Sequence, residues 1–151
     1  MKKSILFALV LTFAIPLVSN AQLKKLADNE KIRSFTNGSV GLFKTTIDDK
    51  EFYYVTLLNN SRYYNHVVLY LGDKQEMLKN LEDFSETLKN GMKGETFEFQ
   101  AGVFEYIFSY RTVLGQRCFK VNTPNSSSQD FGNFYKSTID DIIEYFNKID
   151  N

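Results

Sequence analysis

The chain has one cysteine, one histidine, two prolines and no tryptophan, and each scarcity removes a class of protein. A single thiol, Cys118, closes no intramolecular disulfide, so stability has to come from packing. Structural zinc needs four Cys or His ligands and catalytic zinc usually three protein ligands. His66 and Cys118 cannot supply either set, so no metal and no cofactor is expected. The acidic run Asp48, Asp49 and Glu51 in "IDDKEF" lacks the spacing and glycine of a calcium loop and reads as a hairpin turn.

An excess of charge of one sign is also missing. Lys and Arg number 18, as do Asp and Glu, which excludes the basic surplus that nucleic acid and anionic membrane surfaces demand. Glycine-rich phosphate loops are absent, because "NGMKGE" opens onto a strand and not a helix. No serine sits in a nucleophile elbow. Ser61, His66 and Asp73 can be named as a hydrolase or transferase set, with His66 the weak catalytic candidate, but closeness in sequence is not triad geometry.

Long apolar runs occur once. Residues 1–21, "MKKSILFALVLTFAIPLVSNA", place Lys2 and Lys3 before an apolar stretch from Ile5 to Val18, with Ser19 and Ala21 at the end. That is the pattern of a secretory signal peptide, cleaved before Gln22, and the stretch is broken by Pro16 and too short for a bilayer span. The terse lysine pair resembles bacterial leaders. Export to the periplasm or beyond is therefore expected, with no stable membrane insertion after cleavage. What is left is roughly 130 residues, enough for one domain and too few for two. The expected divisions are a leader at 1–21, an arm or short helix at 22–37, and one α+β domain at 38–151.

Aromatics are plentiful. All 9 Tyr and all but Phe7 and Phe13 of the 14 Phe lie beyond the leader, and each ring can bury about 150–250 Å². From Gly38 the runs "SVGLFKTTI", "EFYYVTLL" and "HVVLYLG", separated by "DDK" and "NNSRYYN", read as a three-stranded meander. "GDKQEMLKNLEDFSETLKNG" is an amphipathic helix with Met77, Leu81, Phe84 and Leu88 in one stripe. Asp73 stands as its N-cap, Glu76 three residues on, and Asn90-Gly91 as its stop. Strands resume with "ETFEFQ", "VFEYIFSYRTV" and "QRCFKVNT". After the loop "PNSSSQD", the stretch "FGNFYKSTIDDIIEYFNKI" places Phe131, Tyr135, Ile139, Ile142, Ile143, Phe146 and Ile149 on one helical stripe. Asp140 and Asp141 diverge by 100° on that helix and read as a solvated face. The expected fold is one antiparallel sheet of five or six strands with both helices on one face, in the order short helix, βββ, α, βββ, α.

"VFEYIFSYRTV" carries the sharpest alternation, and its row Phe104, Tyr106, Phe108 and Tyr110 reads as core beneath the helices. Its opposite side holds Glu105, Ile107 and Arg111. With both helices on one face the other stays open, so Tyr53, Tyr63, Tyr64, Glu105 and Arg111 are the candidate ligand-binding residues. Tyrosine suits a protein or glycan partner. Sheet-to-sheet dimerisation, or cover from the N-terminal arm, would use the same face. Cys118 reads as a small buried filler.

Overall fold

In a computed structural model, residues 28–60, 66–123 and 129–150 are described. The leader, the arm as far as residue 27, Ser61, Tyr63 and Tyr64 lie outside them. The fold is α+β, but with two sheets where one was expected. The first contains β1 (Asp28–Phe35), β2 (Val40–Ile47), β3 (Lys50–Leu58) and β4 (His66–Gly72); helix α1 (Lys74–Asn90) follows. The second contains β5 (Thr96–Ala101), β6 (Phe104–Val113), β7 (Gln116–Asn122) and β8 (Gly132–Tyr135), and helix α2 (Lys136–Ile149) follows it. Each sheet is a sequential antiparallel meander, β1-β2-β3-β4 and β5-β6-β7-β8.

Two strands explain the corrected sheet count. β1, "DNEKIRSF", was expected as arm or helix because it has only Ile32 and Phe35 as apolar anchors. It is an edge strand with a register shift between Lys31 and Arg33, and its polar, kinked edge is the kind that resists further pairing. β8 was expected inside the last helix, since Phe131 and Tyr135 fit a 3.6-residue wheel. Gly132 and Phe134 are the buried pair instead, a period of two. A Cβ at Gly132 would collide with the Leu57 side chain. This close approach lets β8 pack on β3, where Asn59 bridges Gly132 and the Asn60 N–H donates to the Phe131 carbonyl at 2.9 Å. That seam joins the sheets.

The turns obey local rules. Asp48 and Asp49 take φ of 49° and 62°, and Leu114 and Gly115 take 49° and 79°, so both hairpins use the left-handed pair of a type I′ turn. Helix α1 starts as expected: Asp73 accepts from the Glu76 N–H at 2.9 Å, and the Glu76 carboxylate accepts from the Asp73 N–H at 3.1 Å. Its C-terminal carbonyls of Leu88 and Lys89 accept from the Arg117 guanidinium on β7.

Both helices touch both sheets. α1 packs on β3, β4 and β7, α2 on β7 and β8, and the helices on each other, with the α2 ring of Phe146 meeting Tyr53 edge-on at 5.7 Å. Met77, Leu81, Phe84 and Leu88 are buried as the stripe requires, and so are Ile139, Ile142 and Phe146. Phe84 is the hinge of the core, with ring centroids of Phe99, Phe108 and Phe119 at 4.9, 5.0 and 6.0 Å. The first sheet contributes Val40, Leu42, Val55, Leu57, Leu69 and Leu71 to the same cluster. Each sheet therefore gives one face to the helices and keeps one outside.

Candidate aromatic binding face

The outer face of the first sheet follows from its aliphatic residues. Val40 and Leu42, Val55 and Leu57, and Val67, Leu69 and Leu71 all point inward, so alternation sends Phe43, Thr45 and Ile47, then Phe52, Tyr54, Thr56 and Leu58, then Val68 and Tyr70, outward. Strand register then sets these side chains in rows. Lys31 pairs with Phe43, Phe43 with Tyr54, and Tyr54 with Tyr70.

The middle row crosses all four strands. The Lys31 ammonium lies 5.9 Å from the Phe43 ring centroid. Phe43 and Tyr54 stack at 5.2 Å with planes 6° apart, and Tyr54 meets Tyr70 at 5.5 Å and 41°. Phe104, from the β5–β6 hairpin, then stacks on Tyr70 at 4.2 Å and 10°. Each such pair contributes about 0.5–1.5 kcal/mol beyond its buried area. Gly41 makes room for the row, since a Cβ there would sit 2.6 Å from Phe43 Cε2 and 2.8 Å from Thr56 Oγ1.

The hairpin reaches the outer face by lapping over the edge of β4. Gly102, at φ 60°, opens a two-residue turn between Ala101 and Phe104. One turn further along β6, the Tyr106 hydroxyl accepts the Tyr70 N–H at 3.1 Å, satisfying a donor on the free edge of the strand. Burial of that hydroxyl pushes the Tyr106 pKa up, against the lowering effect of the hydrogen bond. Tyr54 is likewise pushed up, by burial first and then by Tyr70.

Beside the row, the overlap leaves a cleft of about 400 Å³ lined by Ile47, Phe52, Tyr70, Val103 and Phe104, with Thr45 and Glu76 at its border. The walls are mainly apolar and several are open to solvent: Val103 is 88% exposed, Ile47 and Phe104 44% each. Phe104 departs here from the core row expected of "VFEYIFSYRTV"; Tyr106, Phe108 and Tyr110 keep to it. At the strand's first position the ring overhangs the core and finds Tyr70 instead.

Of the five candidate ligand-binding residues, the three described ones, Tyr53, Glu105 and Arg111, do not come together. Tyr53 shares the parity of Val55 and Leu57 and is only 6% exposed, its hydroxyl donating to Glu51 at 3.3 Å. Burial pushes its pKa up. Tyr63 and Tyr64 lie outside the described residues. Glu105 and Arg111 are on the outer face of the second sheet, as their alternation required, but six residues apart, about 20 Å along the strand. Glu105 borders a shallow cleft with Glu98 and Gln100, whereas the Arg111 and Lys120 cations hold the Phe131 ring at 5.3 and 4.6 Å. This second outer face is polar.

His66 is exposed at the start of β4, across from Leu58. Asp73 follows the other end of the same strand, about 20 Å away, with its carboxylate committed to the helix cap. Ser61 lies outside the described residues. Cys118 is buried, as expected, and burial raises its pKa while Arg111 pulls weakly the other way. Among the described residues no group of three or more His, Cys, Asp or Glu could hold a metal, and no helix is long and apolar enough to cross a membrane.

No family model matches the chain, and comparisons with curated proteins and with solved structures found no match either.

Proposed function

We propose that the protein is an exported binding module that holds a protein partner on the outer face of its first sheet, acting in the periplasm or outside the cell. The observation that carries this reading is the aromatic row running from Phe43 through Tyr54 and Tyr70 to Phe104, flanked by solvent-open Ile47, Val68, Val103 and Leu58. Contiguous apolar surface of this kind on a folded domain marks an interaction site, and Tyr and Phe are enriched at the buried centres of protein interfaces. Export rests on the leader pattern of residues 1–21.

Ring geometry favours a protein over a glycan. Sugars stack on an open aromatic face, and here one face each of Phe43, Tyr54, Tyr70 and Phe104 is taken up by a neighbouring ring. The exposed aliphatic side chains Ile47, Leu58, Val68 and Val103 around them suit the side chains of a protein surface. A catalytic role for His66 finds no support from Asp73, whose carboxylate is at the far end of β4.

The test is a pair of surface substitutions, Ile47→Asp and Val103→Asp, assayed for binding to the partner captured by the unaltered chain. Each places a charge at the centre of a contact and is expected to weaken binding at least tenfold, about 1.4 kcal/mol, with the circular dichroism and thermal midpoint little changed. Undiminished binding by both variants refutes the reading. If the captured species is a second copy of the chain, the face is a homodimer interface, which light scattering reads directly.

A further inference from the structure

The two sheets end in edge strands, β1 and β4 in the first and β5 and β8 in the second. Three of these are blunted. β1 carries a register shift beside Lys31 and Arg33, the Tyr70 N–H of β4 is taken by the Tyr106 hydroxyl, and β8 is joined to the end of β3 through Asn59 and Asn60. Shifts, lysines and covering groups are the usual means of keeping an edge from pairing. β5, "TFEFQA", has none of them. Its 6 residues match β6 in unbroken register, and among the described residues no strand pairs with its other side.

The hairpin decides which backbone groups are spare. Ala101 and Phe104 close a two-residue turn and exchange both ladder bonds, so Phe99 with Tyr106 and Phe97 with Phe108 do the same in alternation. The parity continues to Glu95, whose carbonyl accepts from the Tyr110 N–H at 2.8 Å. Glu98 and Gln100 therefore aim their N–H and C=O groups away from β6, and no partner among the described residues takes them up. On the inner side of the strand, Phe97, Phe99 and Ala101 pack against the core yet stay only half-buried, as an edge without a neighbour leaves them.

A strand that bonds to these groups has to present the same alternation, and β5 of a second copy does. A two-fold axis through β5 allows two registers that overlap all but one of its residues. Centred on Glu98, the axis sets that carboxylate against its own copy, a like-charge pair. Centred on Phe99, it sets Glu98 against Gln100 of the second copy on both sides of the axis, Phe99 against Phe99, and Phe97 against the small Ala101. The second register forms two hydrogen-bonded pairs and places acid opposite amide.

We propose that β5 pairs with β5 of a second copy about a two-fold axis at Phe99, joining the two second sheets into one continuous sheet. The contact is small, so the dimer forms and parts with concentration. Glu98 and Glu105 of both copies then share one outer face, so charge opposes the pairing and salt favours it. None of this depends on the outer face of the first sheet being a binding surface.

The experiment follows the chain without residues 1–21 by analytical ultracentrifugation from about 10 μM to about 1 mM, with hydrogen exchange read residue by residue at both ends of the range. A dimer that grows with concentration is expected, with slowed exchange at the Glu98 and Gln100 amides and no change at Phe97 and Phe99, which are already bonded to β6. Glu98→Pro removes an outward N–H and none of the bonds to β6. It is expected to weaken association at least about tenfold with circular dichroism unchanged. Glu98→Gln leaves every backbone group in place and removes the repulsion, and is expected to tighten association about two- to fivefold. A monomer throughout the range overturns the proposal and leaves the edge to an extended segment of another protein. A dimer that survives Glu98→Pro, or one that Ile47→Asp abolishes, also overturns it, because the contact then lies elsewhere.

Discussion

Two residues set their environments against their own chemistry. Leu114 is 99% exposed and holds φ at 49°, in the first central position of a type I′ turn that Asn or Gly fills without strain. Replacing it by Asn removes an unfavourable left-handed conformation worth about 1–2 kcal/mol per residue. Leu114→Asn is therefore expected to raise stability by about 1 kcal/mol, seen as a higher urea midpoint at unchanged slope. Cys118 is the second case. Burial raises its pKa, so the native state keeps a proton that the unfolded chain has released. The contribution is whole below the unfolded thiol value, about 8.5, and is lost as pH rises through the native one. Stability should fall with pH above about 8.5, and Cys118→Ala should flatten that slope up to about pH 10, where the tyrosines take over. An unchanged slope in Cys118→Ala would show that the thiol is not its source.

At the scale of elements, the molecule depends on edges being closed. The free edge of β4 is met by one phenol, through the Tyr70 N–H to Tyr106 hydroxyl bond. Tyr106→Phe leaves that donor without its acceptor at little change in volume and is expected to cost about 1–3 kcal/mol. Faster hydrogen exchange at the Tyr70 amide, beyond the average rise, identifies the cause. The elements most legible in the sequence were those whose signals are local: α1, with its capping box and stripe, and the β6 alternation that buries Tyr106, Phe108 and Tyr110. β1 and β8 were not legible. Their existence depends on register with β2 and on the glycine gap against Leu57, partners far away in sequence. The aromatic face was half legible. Alternation separated Phe52, Tyr54, Thr56 and Leu58 from Tyr53, Val55 and Leu57, and the consistent inward parity of Val and Leu across β2, β3 and β4 was the signal that would have turned Tyr53 inward. Phe104 joining Tyr70 needed the tertiary fold.

At the scale of the whole molecule, two four-stranded sheets share one pair of helices, and their outer faces differ in kind. The second is polar, with Glu98, Gln100, Glu105 and Lys120. The first carries the aromatic row and its cleft. That asymmetry is the central claim, and a photo-crosslinking residue placed at Val103 or at Leu114 tests it most directly. Both positions are almost fully open, at 88% and 99%, and only Val103 borders the aromatic face. In the cell that makes the protein, Val103 is expected to yield a discrete crosslink to a partner protein and Leu114 none. The same crosslinks from both positions, or none from Val103 with Leu114 reactive, would contradict it.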